Sequence, residues 1–254
     1  MGVAAREIAR WWDDYLRVDE IDDYPGALNG LQVEAPRSVT RVGAATDACQ
    51  ATIDAAVEDG CELLLVHHGL FWGSASPLTG ALFRRVRSLI SAETGLYSAH
   101  LPLDVHEEVG NNVLLAQALE LSIDDRFGSH GSLHGIGVVT RPGVSRDALR
   151  DRIAAACGGG DVMLIPGGPA DVETLAIVTG GAGSMIAEAA AAGVDAFLTG
   201  EGNHHTYHEA IELGINVYYA GHYATETFGV RALAERTADR FGIEHRFYDN
   251  PTGL

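Results

Sequence analysis

Two adjacent histidines follow a run of apolar residues. His67 and His68 come directly after the strand-like residues 63–66 and precede a glycine and two aromatic residues. Neighbouring side chains on an extended backbone point to opposite sides, so each histidine could bind one of two ions near the strand end. The pair therefore suits a dinuclear metal site. The alternative is structural, with one histidine satisfied in the core and the other exposed at the strand terminus.

A second pair of candidate ligands lies near the C-terminus. His222 and Glu226 have the i, i+4 spacing that places two side chains on one face of a helix, which is a common way for two ligands to converge. Tyr218, Tyr219 and Gly221 precede them at the end of a predicted strand. An exposed His–Glu ion pair on a helix is the alternative.

The segment HLPLDVHEE contains His100, Asp104 and His106. Pro102 predicts a shaped loop in place of a regular helix, and loops that follow rigid strands often carry ligands and bases. Asp104 could instead cap the helix that follows it. The two roles are compatible.

A loop rich in histidine, GEGNHHTYHEA, contains His204, His205 and His208. These residues could bind a third metal or a substrate, form a contact between subunits, or have no ligand. His205 and Glu209 have helical i, i+4 spacing. The remaining histidines have no spacing that suggests a site: His130, His134 and His245.

Apolar strands alternate with Ala-rich helical segments, a pattern that predicts an α/β fold with layered sheets and flanking helices. Strands are predicted at 42–45, 63–66, 97–100, 136–139, 175–179, 196–199 and 217–220. Helices are predicted at 48–58, 82–93, 112–119, 146–157, 185–192 and 225–240.

An internal repeat indicates two similar α/β lobes. Residues 46–66 align without gaps onto residues 179–199, and each copy reads as strand end, helix, glycine and strand. Downstream of each copy, a tyrosine-bearing strand leads to a histidine and a carboxylate four residues later: His100 with Asp104, and His222 with Glu226. In open α/β sheets ligands bind beyond the carboxyl ends of the strands, where all of these residues fall.

The composition narrows the class of partner. The chain has 254 residues, with 35 acidic and 17 basic side chains, no lysine and a net charge of -18. This balance argues against nucleic acid and anionic membranes. Cation binding would be one use of the acid, but we attribute it to a solvated surface typical of a halophilic source. An odd cysteine count (Cys49, Cys61, Cys157), no apolar signal core and no apolar run of roughly 20 residues favour a cytoplasmic protein.

Together, six segments resemble the NIF-three-like proteins, known as homologues of type 2 GTP cyclohydrolase I. They are NGLQV (29–33), LLLVHHGLFW (63–72), AHLPLDVHEEVGNN (99–112), GGAGS (180–184), DAFLTGE (195–201) and AGHYATETFGV (220–230). The resemblance spans nearly the whole chain. It implies a NIF-three-like fold of two α/β lobes, a ring-shaped homohexamer and a dinuclear metal centre in each subunit.

Matched position by position, the resemblance implies the metal ligands His67, His68, Asp104, His222 and Glu226. Glu226 would bridge the two metals and His100 would lie nearby. We expect a first lobe at 1–127 carrying His67, His68 and Asp104, a second lobe at 128–254 carrying His222 and Glu226, and the metal site between them. A mixed nitrogen and oxygen set favours Fe, Mn, Zn, Co or Ni over Mg.

The resemblance also implies a reaction. Two divalent ions would lower the pKa of a shared water, and the hydroxide would open the guanine ring of GTP with release of formate. His100 and His205 are candidates for proton transfer. No Walker-type loop and no obvious Arg cluster is present to hold a triphosphate, although GGAGS could cradle a phosphate. The alternatives are a non-catalytic metal-binding or iron-delivery protein, and a metallohydrolase of another nucleotide or phosphoester.

Overall fold

The computed structural model describes residues 2–73 and 75–254. The longer helices are α1 (Ala5–Leu16), α2 (Gln50–Glu58), α3 (Gly80–Ala92), α5 (Asn111–Ala118), α6 (Arg146–Ala156), α7 (Ile186–Ala191), α8 (Thr206–Leu213) and α10 (Thr227–Phe241), and the single turns are α4 (Leu101–Asp104) and α9 (His222–Thr225). The strands are β1 (Val3–Ala4), β2 (Gly30–Val33), β3 (Ser38–Val39), β4 (Arg41–Asp47), β5 (Leu63–His68), β6 (Gly95–Ser98), β7 (Ile123–His130), β8 (Leu133–Thr140), β9 (Val144–Ser145), β10 (Met163–Pro166), β11 (Asp171–Val172), β12 (Leu175–Ile177), β13 (Ala196–Thr199), β14 (Asn216–Tyr219) and β15 (Glu244–Phe247).

The first compact unit comprises Met1–Leu103 and Gly229–Asn250. Its sheet has the order β15-β4-β5-β6-β2, in which β15, β4, β5 and β6 run parallel and β2 is antiparallel. Strand β5 is apolar and fully buried from Leu63 to Val66 because helices cover a parallel sheet on both faces. Helix α1 buries one face, including Ile8 and Trp12, and the Trp12 indole donates to Thr237 on α10 at 2.9 Å.

The second compact unit comprises Asp104–Phe228 and Pro251–Leu254. Its sheet has the order β10-β14-β13-β12-β8-β7, with β12, β13 and β14 parallel and the remaining pairings antiparallel. One core cluster packs α5 and α6 residues such as Leu115 and Leu149 against the sheet. A second cluster includes Ile186, Phe197 and Val217.

The predicted α/β class is confirmed, and so is the internal repeat. In each unit a parallel strand leads through one helix to a neighbouring parallel strand, as β4-α2-β5 and as β12-α7-β13, and a third parallel strand follows, β6 or β14. Every strand and helix predicted from periodicity has a counterpart within a few residues. The carboxyl ends of the parallel strands therefore carry the candidate site residues in both units.

The division of the chain differs from the expected boundary at residue 127. Residues 229–250 return to the first unit because β15 pairs with β4, where Glu244 lies opposite Arg41. Asp104 belongs to the second unit, since Asn111 and Thr179 hold its side chain there. Sequence periodicity locates strands but does not show which sheet a late strand joins.

No helix of the described residues is long and apolar enough to span a bilayer.

Candidate metal centre

Three histidines of the first unit form what we call the first donor set. His67 and His68 end strand β5, and His100 follows β6, the next parallel strand. Each histidine contributes one ring nitrogen, and these three nitrogens all lie within 4.8 Å of one another. His67 is completely buried, because its strand is central in the sheet. Donors this close together can share a cation.

Each of these imidazoles has its Nδ1 nitrogen held by an oxygen. The distances are 2.9 Å from His67 Nδ1 to the Ala99 carbonyl, 2.8 Å from His68 Nδ1 to Asp47 Oδ1 and 2.8 Å from His100 Nδ1 to Asp23 Oδ1. A carbonyl or carboxylate oxygen accepts, so the hydrogen belongs on Nδ1 and the lone pair on Nε2. Metal-binding histidines almost always show this arrangement.

The Asp23 carboxylate is itself fixed. Its Oδ2 accepts from the Asn29 amide at 2.8 Å and from the Leu101 backbone N–H at 3.0 Å, and its side chain is 6% exposed. Burial acts to raise the pKa of Asp23, but the hydrogen bonds from His100, Asn29 and the Tyr24 backbone outweigh it and leave the pKa below its ordinary value. Asp23 therefore stays ionised and orients His100.

The second unit contributes Asp104, His222 and Glu226, which we call the second donor set. His222 begins α9 shortly after β14 ends at Tyr219, and its Nε2 lies 3.1 Å from Glu226 Oε2. Oxygen atoms of Asp104 and Glu226 lie within 4.8 Å of each other. His222 Nδ1 donates to Glu201 Oε1 at 3.0 Å, so this histidine repeats the orientation seen in the first set.

A carboxylate on either side changes the ionisation of His222. The hydrogen bond that His222 donates to Glu226 is the main cause that raises the pKa of His222 to about 9; burial acts in the opposite direction, and the charge of Glu226 and the hydrogen bond and charge of Glu201 raise the pKa further. The Glu226 side chain is only 4% exposed. The proton on His222 gives the imidazole a positive charge that balances the buried Glu226 carboxylate. A cation bound between these side chains would replace that proton.

Asp104 is positioned by a network of amides. Asn111 donates to Asp104 Oδ1 at 2.7 Å, and Asn112 bonds to the carbonyl of Asp104 at 3.3 Å and accepts from the Thr179 backbone N–H at 2.7 Å. The proposed capping role is not observed, because Gly110 is the N-cap of α5. The segment around Pro102, which was expected to be a loop, is instead a single helical turn, α4. Proline is tolerated there because it lies in the first turn of the helix.

Gly180 leaves the space that Glu226 occupies. Its φ is +71°, and a Cβ atom there would lie 2.0 Å from Glu226 Oε1 and 3.4 Å from His222 Nε2. In the internal repeat Gly180 aligns with Asp47, the carboxylate that orients His68. At the same position of the repeat, the first copy therefore has a carboxylate that orients a histidine, and the second copy has a glycine that leaves room for Glu226.

The histidine-rich loop lies outside both donor sets. His205 is an exposed residue at the N-cap of α8, and the ring centroids of His204 and His208 lie 6.1 Å apart. Among the residues that the structure describes, no group of three clustered donors includes His204, His205 or His208. His106 accepts from the Glu108 and Val109 backbone N–H groups, which closes the turn before α5.

Sequence reasoning missed the carboxylates that orient the histidines, namely Asp23, Asp47 and Glu201. Each is one of 35 acidic residues, and no fixed spacing links it to the histidine it holds. A usable signal existed for Asp47 and Glu201, because Asp47 ends one repeated strand and Glu201 follows another, and each lies beside a neighbouring strand that leads to histidine.

Comparisons of the sequence and of the structure with known proteins find similar proteins over nearly the whole chain. A family model described as Duf34/NIF3 (NGG1p interacting factor 3) matches residues 3–252. A Halobacterium salinarum protein named GTP cyclohydrolase 1 type 2 homolog is 46% identical over 252 residues, covering 98% of each chain. A Deinococcus radiodurans protein of the same name is 45% identical over 251 residues, covering 98% of this chain and 94% of that one. The solved structure of a protein called ybgI, of unknown function, has a TM-score of 0.92 at 35% identity, covering 100% of both chains.

Proposed function

Because the chain belongs to the Duf34/NIF3 family, we propose that it is a dinuclear metal-dependent hydrolase of the type 2 GTP cyclohydrolase I kind. The proposed ligands of two divalent cations are His67, His68, Asp104, His222 and Glu226. The proposal fits the fold, since all five follow or end parallel strands or the short helices attached to them.

The observation that carries the proposal is the orientation of the imidazoles. His67, His68 and His222 each have Nδ1 hydrogen-bonded to a carbonyl or carboxylate oxygen. This bond directs the Nε2 nitrogen of each ring towards the other donors of its own set. The donors are imidazole nitrogens and carboxylate oxygens, a mixture that favours Fe, Mn, Zn, Co or Ni over Mg. When bound, such ions supply Lewis acidity and a nucleophile at neutral pH.

Other side chains have supporting roles in the proposal. Glu226 Oε2 lies 3.1 Å from His222 Nε2, and an oxygen of Glu226 lies within 4.8 Å of one of Asp104, so Glu226 is suited to contact both cations. His100, oriented by Asp23, is the group proposed to move a proton during the reaction, because an imidazole can both take and return a proton. His205 is the second candidate for proton transfer, and its exposed position at the start of α8 makes it accessible to a bound molecule.

The proposed reaction is the opening of a purine ring by water with release of formate. Curated relatives carry the name GTP cyclohydrolase 1 type 2 homolog, which supplies the substrate in this proposal. The five ligands would hold the cations that supply the nucleophilic water. His100 would take a proton from that water as its oxygen bonds to the ring carbon and return it to the ring nitrogen as the carbon–nitrogen bond breaks, and a second water would then hydrolyse the resulting formamide to release formate. Assembly into a homohexamer remains a prediction, which light scattering would test.

The test combines metal content with turnover. Protein purified without added metal is examined by elemental analysis, and formate release from GTP is then measured for the wild type, His68→Ala and Glu226→Ala. We expect two equivalents of a divalent metal, formate release in the wild type, and loss of metal and activity in both variants. His245→Ala is the control, because His245 is exposed on β15 and outside the donor sets.

The outcomes separate the alternatives. Two equivalents of metal without formate release would favour metal binding or delivery, or hydrolysis of another nucleotide or phosphoester, which a substrate panel distinguishes. Failure of every divalent ion to bind at two equivalents would refute the dinuclear proposal.

A further inference from the structure

A pocket of about 460 Å³ opens in the second unit, beside the Glu201 carboxylate that holds His222. Its walls come from β10, the loop at 200–204, the start of α8, the end of β14 and Leu254. The volume lies in the range of small-molecule sites. None of the roles assigned above to the metal ligands or to His100 uses this space.

The walls are suited to a flat ring. The lining includes the apolar side chains Met163 and Ile165 and the two tyrosines Tyr207 and Tyr219. Tyr207 is 49% exposed and Met163 61% exposed, so a guest would cover apolar surface that now faces water. Aromatic side chains bind heterocyclic rings mainly by stacking, which does not require a charged guest.

Two side chains of the pocket, Tyr219 and Glu201, offer hydrogen-bond acceptors, whereas the Asn203 amide and the His204 imidazole, which also line it, can donate. The Thr206 hydroxyl lies 2.5 Å from both the Asn203 carbonyl and the Tyr219 hydroxyl. Since the carbonyl can only accept, Thr206 donates to Asn203, and Tyr219 donates to Thr206, which leaves the Tyr219 oxygen as an acceptor. The Glu201 carboxylate also lines the pocket and is acceptor-only when ionised.

Apart from the His204 imidazole, the described residues that line the pocket have no side chain that can carry a positive charge to hold a phosphate. Among the described residues that line the pocket none is arginine, and the chain contains no lysine. Glu201 would repel a phosphate. A guest that presents ring N–H donors and has no negative charge therefore matches the pocket better than an intact nucleotide tail does.

We propose that this pocket binds the flat ring of an N–H-bearing heterocycle, such as the base of a guanine nucleoside, and that the phosphates of a nucleotide stay outside it. The identification of the ring with the substrate base rests on the proposed function, whereas binding itself needs no metal. Gly202 belongs to the pocket because a Cβ atom there would lie 2.2 Å from the Tyr219 hydroxyl oxygen.

The test is calorimetric titration of metal-free protein, prepared with a chelator, with guanosine, 1-methylguanosine, GTP and tripolyphosphate. We expect guanosine to bind at least as tightly as GTP, 1-methylguanosine to bind more weakly, and tripolyphosphate not to compete. Tyr207→Ala should weaken guanosine binding by about tenfold, in line with the loss of one stacking partner. Tyr219→Phe, which removes the acceptor but keeps the ring, should weaken it by about fivefold.

The matched control is Ile211→Ala, which truncates an exposed apolar residue of the same helix, one turn beyond Tyr207 and outside the pocket lining. It should leave guanosine affinity unchanged. The proposal is overturned if guanosine does not bind, if tripolyphosphate competes, if GTP binds more than tenfold tighter than guanosine, or if both tyrosine variants bind like the wild type. It is also overturned if Tyr207→Ala dissociates an oligomer without changing affinity, because the surface would then be a subunit contact.

Metal content measured on untreated samples of the same preparations separates this proposal from the previous one. Absence of metal with normal guanosine binding defeats the proposed function alone. Two equivalents of metal without guanosine binding defeats the pocket proposal alone.

Discussion

Asp47 and His68 lie opposite each other on the neighbouring parallel strands β4 and β5, and Asp47 Oδ1 is 2.8 Å from His68 Nδ1. The pairing register of two strands therefore sets the direction in which His68 presents its second nitrogen. A single-residue slip of either strand would turn one of the two side chains to the opposite face of the sheet.

Asp47→Ala should weaken metal binding without removing a proposed ligand. The His68 ring would lose the acceptor that fixes its tautomer, and losses of about 10- to 100-fold in affinity are typical for such partners. The metal dissociation constant, measured by competition with a chromogenic chelator, checks this. Asp54→Ala is the control, since Asp54 is an exposed residue of α2 whose side chain bonds to Gln50. Equal affinities for the two variants would contradict the prediction.

His100→Ala should separate chemistry from metal binding. We expect it to retain two equivalents of metal and to lose about 10²- to 10⁴-fold in turnover, the usual contribution of general acid–base catalysis. Elemental analysis and the formate assay on one preparation give both quantities. A fall in stoichiometry to one would instead make His100 a ligand, an outcome that its place in the first donor set makes worth testing.

Gly180→Ala and Gly193→Ala form a matched pair. Both glycines have positive φ, at +71° and +76°, so each alanine should cost about 1–2 kcal/mol of stability. Only the Gly180 substitution would place a Cβ against Glu226, because nothing lies within 4 Å of the added carbon at Gly193. Thermal unfolding should show a lower stability for both variants. Metal affinity should fall, by about tenfold or more, for Gly180→Ala alone. Normal metal binding by Gly180→Ala would refute this role for the glycine.

The place of α10 in the first unit can be tested at one hydrogen bond. Thr237→Val leaves the buried Trp12 indole N–H without its acceptor, which should cost about 1–3 kcal/mol in the free energy of unfolding. Urea denaturation measures the change. Thr237→Ser keeps the hydroxyl and should lose less, so equal losses would show that the hydrogen bond is not the cause.

Thiol reactivity should depend on pH in a defined direction. Burial raises the pKa of both Cys61 and Cys157 to about 12, so at pH 8 roughly one thiol in ten thousand is the reactive thiolate. Alkylation at these positions should be slow and should rise about tenfold per pH unit from 7 to 9. Peptide mass spectrometry on native protein follows each site, and urea-unfolded protein, in which all three cysteines should react quickly, is the control. Rapid labelling of Cys61 in native protein would contradict its burial.

The strands, and the histidines at their ends, could be predicted from the sequence alone. Strand β5 is wholly apolar from Leu63 to Val66, so His67 and His68 interrupt a clear pattern, and the repeat points to the matching positions in the second half. The sequence was not sufficient for Asp23, which lies 77 residues from His100 and reaches it through tertiary packing. The return of β15 to the first sheet was missed for the same reason, because strand pairing over long separations leaves no local pattern.

The C-terminal strand β15 has a consequence for synthesis on the ribosome. While the nascent chain is still growing, the outer edge of β4 is open, and residues 244–247 emerge only after nearly all of the second unit has been made. The second unit can therefore fold first, with an unfinished first sheet preceding it. Until the last strand arrives, the exposed edge of β4 is a template for pairing with other chains, so slow or interrupted translation of this gene would favour aggregation.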